Sequence, residues 1–157
     1  MNLLFINGPN LNLLGNREPE IYGNESLDQL IAWVTNQINT KENDVYWFQS
    51  NSEGKIIDKL HWALDNKIDG IIINPGAYTH YSIAIRDAIS SIKIPTVEVH
   101  FSDIENREDF RRISVIKDVC ISQITGLGKD GYLRAANLLL DKNQGGELTT
   151  NALAFKV

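Results

Sequence analysis

The sequence predicts one α/β domain built on a parallel sheet, and three observations carry that prediction. Five short apolar runs rich in β-branched residues punctuate the chain: Asn2–Ile6, Val45–Phe48, Gly70–Ile73, Thr96–Val99 and Val119–Ile121. After the first, they recur about every 25 residues, and runs this short read as buried strands. Helix-period patterns fill the intervals, with no long linker and no internal repeat, as crossover helices between parallel strands require. A length of 157 residues, with 43% hydrophobic and 22% charged residues, supports one sizeable core and leaves little room for a second domain.

Each element follows from local signals. After the first strand, Ser26 is placed to cap a helix, with Gln29 at the capping-box position. Leu27, Leu30, Ile31, Val34 and Ile38 repeat on one face of that helix. A second helix begins near Ser52, with Glu53 suited to its positive end and Ile56, Ile57, Leu60 and Leu64 as its apolar stripe. A third runs from about Tyr81, with Ile85, Ala88, Ile89 and Ile92 facing inward. Arg107 to Arg111 is a short helical candidate. The last helix spans roughly Gly131 to Leu140 on Leu133, Ala136 and Leu140. The NQGGEL stretch near 143–148 reads as a helix stop, leaving about 144–157 as a tail.

Charge and composition exclude several function classes. Fifteen basic against twenty acidic residues give a net charge of -5, which argues against a nucleic-acid binder working through a broad basic surface. A small anionic substrate is still compatible, because a pocket can be locally positive. One cysteine excludes an intramolecular disulfide framework and a cysteine-rich zinc site, and Cys120 in an apolar strand reads as core. The start MNLLFINGPN reaches Pro and Asn too soon for a signal peptide, and no apolar run approaches the roughly 20 residues of a membrane helix. A cytoplasmic protein is therefore expected. No HExxH or close ligand pair suggests a metal. The Gly-rich stretches NGPNLN and GLGKDG fit neither the Walker A nor the dinucleotide order, and no GxSxG elbow is present.

In an open parallel sheet, ligands bind beyond the carboxyl ends of the strands. The strands run there into NGPNLNLLG, QSNSEG, NPGAYTH, EVHFSD and TGLGKDG, so Asn, Ser, His and Gly from distant loops converge on one edge. Alternation puts Glu98 and His100 on one face of an extended segment. The carboxylate would orient the ring and favour its protonated form, which suits a general acid; a structural histidine with a buried partner is the alternative. His80, after Asn74, Pro75 and Gly76, is suited to binding hydroxyls. His61, inside the second helix, reads as surface or packing. Arg17 and Tyr22 lie in a long loop, about 8–25, that reads as an active-site lid. Tyrosine, with a reference pKa of about 10, is a poor base unless a guanidinium favours tyrosinate. Arg111 and Arg112 could hold an acidic or polyhydroxylated ligand. These residues describe an edge pocket suited to acid–base chemistry on a polar ligand. They leave open an enzyme of another class or a noncatalytic small-ligand-binding or regulatory protein.

Four segments narrow the choice. NGPNLNLLGNREPEIYG, INPGAYTHYSIAIRDAI, IPTVEVHFSDIENREDFRRIS and GLGKDGYLRAA, in this order and spacing, resemble the signatures of the type II 3-dehydroquinate dehydratases over nearly the whole chain. The resemblance implies a flavodoxin-like three-layer fold, with a five-stranded parallel sheet of order 2-1-3-4-5. It implies reversible anti elimination of water from 3-dehydroquinate through an enolate-like intermediate, with no metal and no organic cofactor. Tyr22 matches the family's base, Arg17 the lid arginine that favours tyrosinate, and Asn12 the residue that stabilises the enolate. His100 matches the general acid and Glu98 its orienting carboxylate. Asn74, His80 and Arg111 match residues that hold substrate hydroxyls, while Ser102 and the backbone around Phe101 match the substrate-carboxylate site. Asp87 matches a residue that reaches a neighbouring subunit's pocket, in a family that forms dodecamers built from trimers. Asp103, Glu105, Asn106 and Ser52 depart from the family pattern, which bears on substrate affinity and subunit contacts more than on reaction class.

Overall fold

The computed structural model describes residues 1–16 and 24–143. Arg17, Tyr22 and the tail at 144–157 lie outside the described residues. The elements, in chain order, are β1 (Asn2–Asn7), α1 (Leu27–Gln37), β2 (Asp44–Gln49), α2 (Glu53–Asp65), β3 (Gly70–Asn74), α3 (Ile83–Ile92), β4 (Thr96–Val99), β5 (Ser122–Ile124) and α4 (Lys129–Asn143). All strand pairs are parallel and the sheet order is β2-β1-β3-β4-β5, as expected.

Alternation along the central strands separates two cores. Leu3, Phe5, Ile72, Val97 and Val99 pack against Leu30 and Val34 of α1 and Ala135, Ala136 and Leu139 of α4. Leu4, Ile6, Ile71 and Ile73 pack against Ile56 and Leu60 of α2 and Ile85 and Ile89 of α3. A sheet covered on both faces explains why β1 and β3 are almost wholly apolar. The first two helices start where the sequence indicates. Ser26 and Gln29 form a reciprocal capping box, and Ser52 and Ser82 cap α2 and α3 by accepting the amide hydrogens of Lys55 and Ile85. Among the described residues no helix is long and apolar enough to cross a membrane.

Five expectations need correction. The fifth strand is Ser122–Ile124 rather than Val119–Ile121; Lys117–Val119 is a 3-10 turn, and Cys120 lies between them. The apolar run misleads here because the strand's middle residue, Gln123, is turned toward a polar partner, Glu98. The third helix begins at Ile83, since the residues before it form a separate 3-10 turn, Gly76–His80, ahead of the Ser82 cap. Leu64 is exposed, because the inward face of α2 runs through Ile56, Leu60 and Ala63. The inward face of α4 is Tyr132, Ala135, Ala136 and Leu139, with Leu133 and Leu140 at its margins. Arg107 and Glu108 separate two 3-10 turns, Ile104–Asn106 and Asp109–Arg111, instead of lying in one helical segment.

The loops after β1 and β3 are joined more tightly than any side chain would permit. Gly8 donates its amide hydrogen to Asn74 O at 2.7 Å, and a Cβ on Gly8 would stand 2.4 Å from Pro75 O. The obstacle is the Pro75 backbone, so Gly8→Ala must push the loops apart. We expect it to destabilise the fold by about 1–3 kcal/mol, the usual range for overpacking. Urea unfolding checks this, and an Ala variant as stable as the parent would show that the loops separate freely.

Candidate active site

The sheet order reverses between β1 and β3, and parallel sheets open a crevice at such a point. A cavity of about 210 Å³ occupies it. Its walls come from Pro9, Leu11 and Leu14 after β1, Asn74, Gly76 and His80 after β3, and His100, Phe101 and Ser102 after β4, with Arg107 and Arg111 closing one side. Asn74, His80, His100, Phe101, Ser102 and Arg111, all expected at the site, line it together.

Glu98 lies behind His100, fully buried. His100 Nε2 is 2.7 Å from Glu98 Oε1. A carboxylate can only accept, so Nε2 carries the hydrogen and Nδ1 is left for other partners. Three more side chains surround the carboxylate. Thr79 donates its hydroxyl to Oε1, Ser114 Oγ lies 2.9 Å from both oxygens, and Gln123 Nε2 donates to Oε2 at 2.9 Å. The register that pairs Glu98 with Gln123 across β4 and β5 sets up the last of these contacts. Burial acts to raise the Glu98 carboxyl. It is outweighed by the hydrogen bond and charge of His100 and by the Thr79 and Ser114 hydroxyls, which hold the group below the ordinary glutamate range. Glu98 is thus held as a buried anion by a polar cage and aimed at one imidazole.

His80 ends the 3-10 turn Gly76–His80, and its Nδ1 is 2.7 Å from Ile113 O. A carbonyl accepts only, so Nδ1 is the protonated nitrogen and Nε2 of the neutral ring is an acceptor. Burial lowers the His80 pKa more than the Ile113 carbonyl raises it, and the nearby His100 and Arg111 add to the lowering. A neutral acceptor beside two guanidinium groups suits a hydroxyl-bearing anion. Arg111 pairs with Glu108 at 3.2 Å and lies over the Phe110 ring at 4.9 Å. Arg107 and Arg111 set two guanidinium groups against the single Glu108 carboxylate, so this side of the wall is locally cationic in a chain of net charge -5.

Some expected residues are placed differently. Asn12 sits in the 3-10 turn Leu11–Leu13, is exposed, and lies 3.4 Å from Gln49 Nε2 outside the cavity wall. Asp87 is on the exposed face of α3, 3.8 Å from Arg86, away from this chain's cavity. His61 is exposed, as expected. Cys120 packs against the α2–α3 core, and burial pushes its thiol pKa up to about 12. Among the described residues no cluster of three His, Cys, Asp or Glu could hold a metal ion. Two of the unusual positions answer each other: Asn106 Nδ2 donates to Asp103 Oδ2 at 2.7 Å. Arg107 was not expected in the wall. Its spacing of four from Arg111 is the signal that could have found it.

The chain is similar to known proteins over most of its length. Residues 1–140 match the family model described as "Dehydroquinase class II". A 3-dehydroquinate dehydratase of Caldicellulosiruptor saccharolyticus is 55% identical over 133 residues, covering 85% of this chain and 92% of the relative. One from Clostridium perfringens is 54% identical over 142 residues, covering 90% of this chain and 99% of the relative. The crystal structure of a type II dehydroquinase from Butyrivibrio crossotus superposes with a TM-score of 0.87 at 52% identity, covering 89% of this chain and 97% of that one.

Proposed function

We infer the reaction from one premise: the chain belongs to the class II dehydroquinase family. The cavity dehydrates 3-dehydroquinate to 3-dehydroshikimate, a step toward aromatic amino acids. The observation that carries this reading is the His100–Glu98 pair, a wall imidazole backed by a caged carboxylate, inside a positive cavity. His100 gives a proton to the departing hydroxyl as the carbon–oxygen bond breaks, and Glu98 holds the ring and balances the imidazolium charge. Arg111, Asn74 and the acceptor nitrogen of His80 hold the remaining hydroxyls, and Ser102 with the backbone around Phe101 receives the substrate carboxylate. Tyr22, as tyrosinate favoured by Arg17, removes the proton beside the ketone. Asn12 stabilises the enolate through a bridging water. Because Asn12 stands outside the wall, that role requires the bridge or a movement of its turn.

The working unit of this reading is a trimer within a dodecamer, with the exposed Asp87 serving a neighbouring pocket. Full activity from a monomer in sedimentation measurements would remove that role for Asp87. The decisive assay mixes pure protein with 3-dehydroquinate and follows the conjugated enone product in the ultraviolet. Turnover without added metal or cofactor is expected. No turnover by correctly assembled protein would favour a noncatalytic ligand-binding role.

A further inference from the structure

Beneath the cavity, one buried hydroxyl connects two strand ends. Tyr132, from α4, is 1% exposed. Gly76 donates its amide hydrogen to Asn74 Oδ1 at 3.1 Å, which fixes the oxygen end of the Asn74 amide. Asn74 Nδ2 therefore faces Tyr132 and donates to its hydroxyl at 2.9 Å. The Tyr132 hydroxyl passes its own hydrogen to Asn7 Oδ1 at 2.7 Å. The chain has one direction, from Gly76 through Asn74 and Tyr132 to Asn7. A flipped Asn74 amide would set its NH2 group against the Gly76 N–H. The same tyrosine ring lies 5.3 Å from Phe101, a second wall residue.

We propose that Tyr132, held by Asn7, is a positioning residue that sets the Asn74 amide for the substrate. It touches no reacting atom. It places Asn74, so that one N–H stays bonded to the protein while the remaining N–H and oxygen lone pair can meet a hydroxyl of the ligand. This rests on the reading of the cavity as a 3-dehydroquinate site. Burial raises the Tyr132 pKa, in keeping with a hydroxyl that stays protonated and directional. The position is local in space but 58 residues from Asn74 and 125 from Asn7 in the chain.

Tyr132→Phe removes the hydroxyl and keeps the ring. With 3-dehydroquinate as substrate, KM should rise about ten-fold, the equivalent of one ordinary net hydrogen bond, while kcat stays within about two-fold. Asn7→Ala should raise KM less, and the double variant should match Tyr132→Phe, because both act through one hydroxyl. Circular dichroism and thermal unfolding check that each variant is folded. A purely structural tyrosine would lower Tm and leave KM unchanged, and that result overturns the proposal, as does a fall in kcat at constant KM. If Tyr132→Phe does not fold, the KM of Asn7→Ala decides by the same criterion. Parent protein that turns over beside a variant of unchanged KM defeats this proposal alone; parent protein with no turnover defeats the reading beneath it and this proposal together.

Discussion

Tyr22→Phe should cut kcat by about 100- to 10,000-fold with the fold intact, the range for losing a positioned acid or base. The variant keeps the ring and removes only the hydroxyl to which the proposed mechanism assigns proton removal. Proton removal beside a ketone at neutral pH needs a group that is partly deprotonated there. Tyrosine at its usual pKa of about 10 is not, and a guanidinium such as that of Arg17 is the means of lowering the barrier. The described residues on either side are well anchored. Gly15, at φ +85°, stands so close to Asn24 that a Cβ would lie 3.0 Å from Asn24 O. Lys129 pairs with Glu25 at 2.6 Å, and Ser26 and Gln29 close the capping box just beyond. Gly15 and Asn24 are thus fixed points on either side of the segment that carries Tyr22 in sequence, and Leu14, just before the first, lines the cavity wall. Steady-state kinetics on the parent and Phe proteins, with matching circular dichroism, make the test. Normal turnover by the Phe variant would reject the base assignment.

How much of this was legible in the chain depended on how local the cause was. The central strands were legible because a strand covered on both faces must be apolar, as Ile71–Ile73 shows. The starts of α1 and α2 were legible because a serine cap acts within three residues. β5 was not, since Gln123 belongs to an edge strand and owes its place to a carboxylate 25 residues away. The inward face of α4 is hidden from the sequence for a related reason. Tyr132 is tolerated inside because Asn7 and Asn74 satisfy its hydroxyl, and neither is near it in sequence.

The site divides in the same way. Alternation alone puts Glu98 beside His100, and the 2.7 Å contact agrees. The hydroxyls and amide that cage Glu98 come from three other segments, so no spacing rule could assemble them. Asn12 and Asp87 take roles only through the resemblance, and Arg17 and Tyr22, read from the loop as a lid with possible tyrosinate chemistry, take their specific roles from it. The first two of these stand outside this chain's cavity wall, and the last two lie outside the described residues.

The cage makes Glu98→Gln the sharpest test of the acid side. A glutamine can keep its oxygen toward the His100 Nε2–H and turn its NH2 toward Gln123, whose own amide can rotate to accept. The ring is then still held, and what is lost is the negative charge. For a carboxylate that orients and balances a catalytic imidazole, that change should lower kcat by about 100- to 10,000-fold with little change in KM. Stability should report the same charge. In the folded protein the Glu98 pKa is depressed, so its ionised form contributes stability above the ordinary value of about 4.3. That contribution is lost as pH falls through the lower, folded value. The parent should therefore lose unfolding free energy between neutral pH and pH 3 more steeply than the Gln variant, as read from urea midpoints. A Gln variant with parental kcat would show that His100 needs no anion behind it. Parallel stability curves would show that the carboxylate is not held ionised by its neighbours.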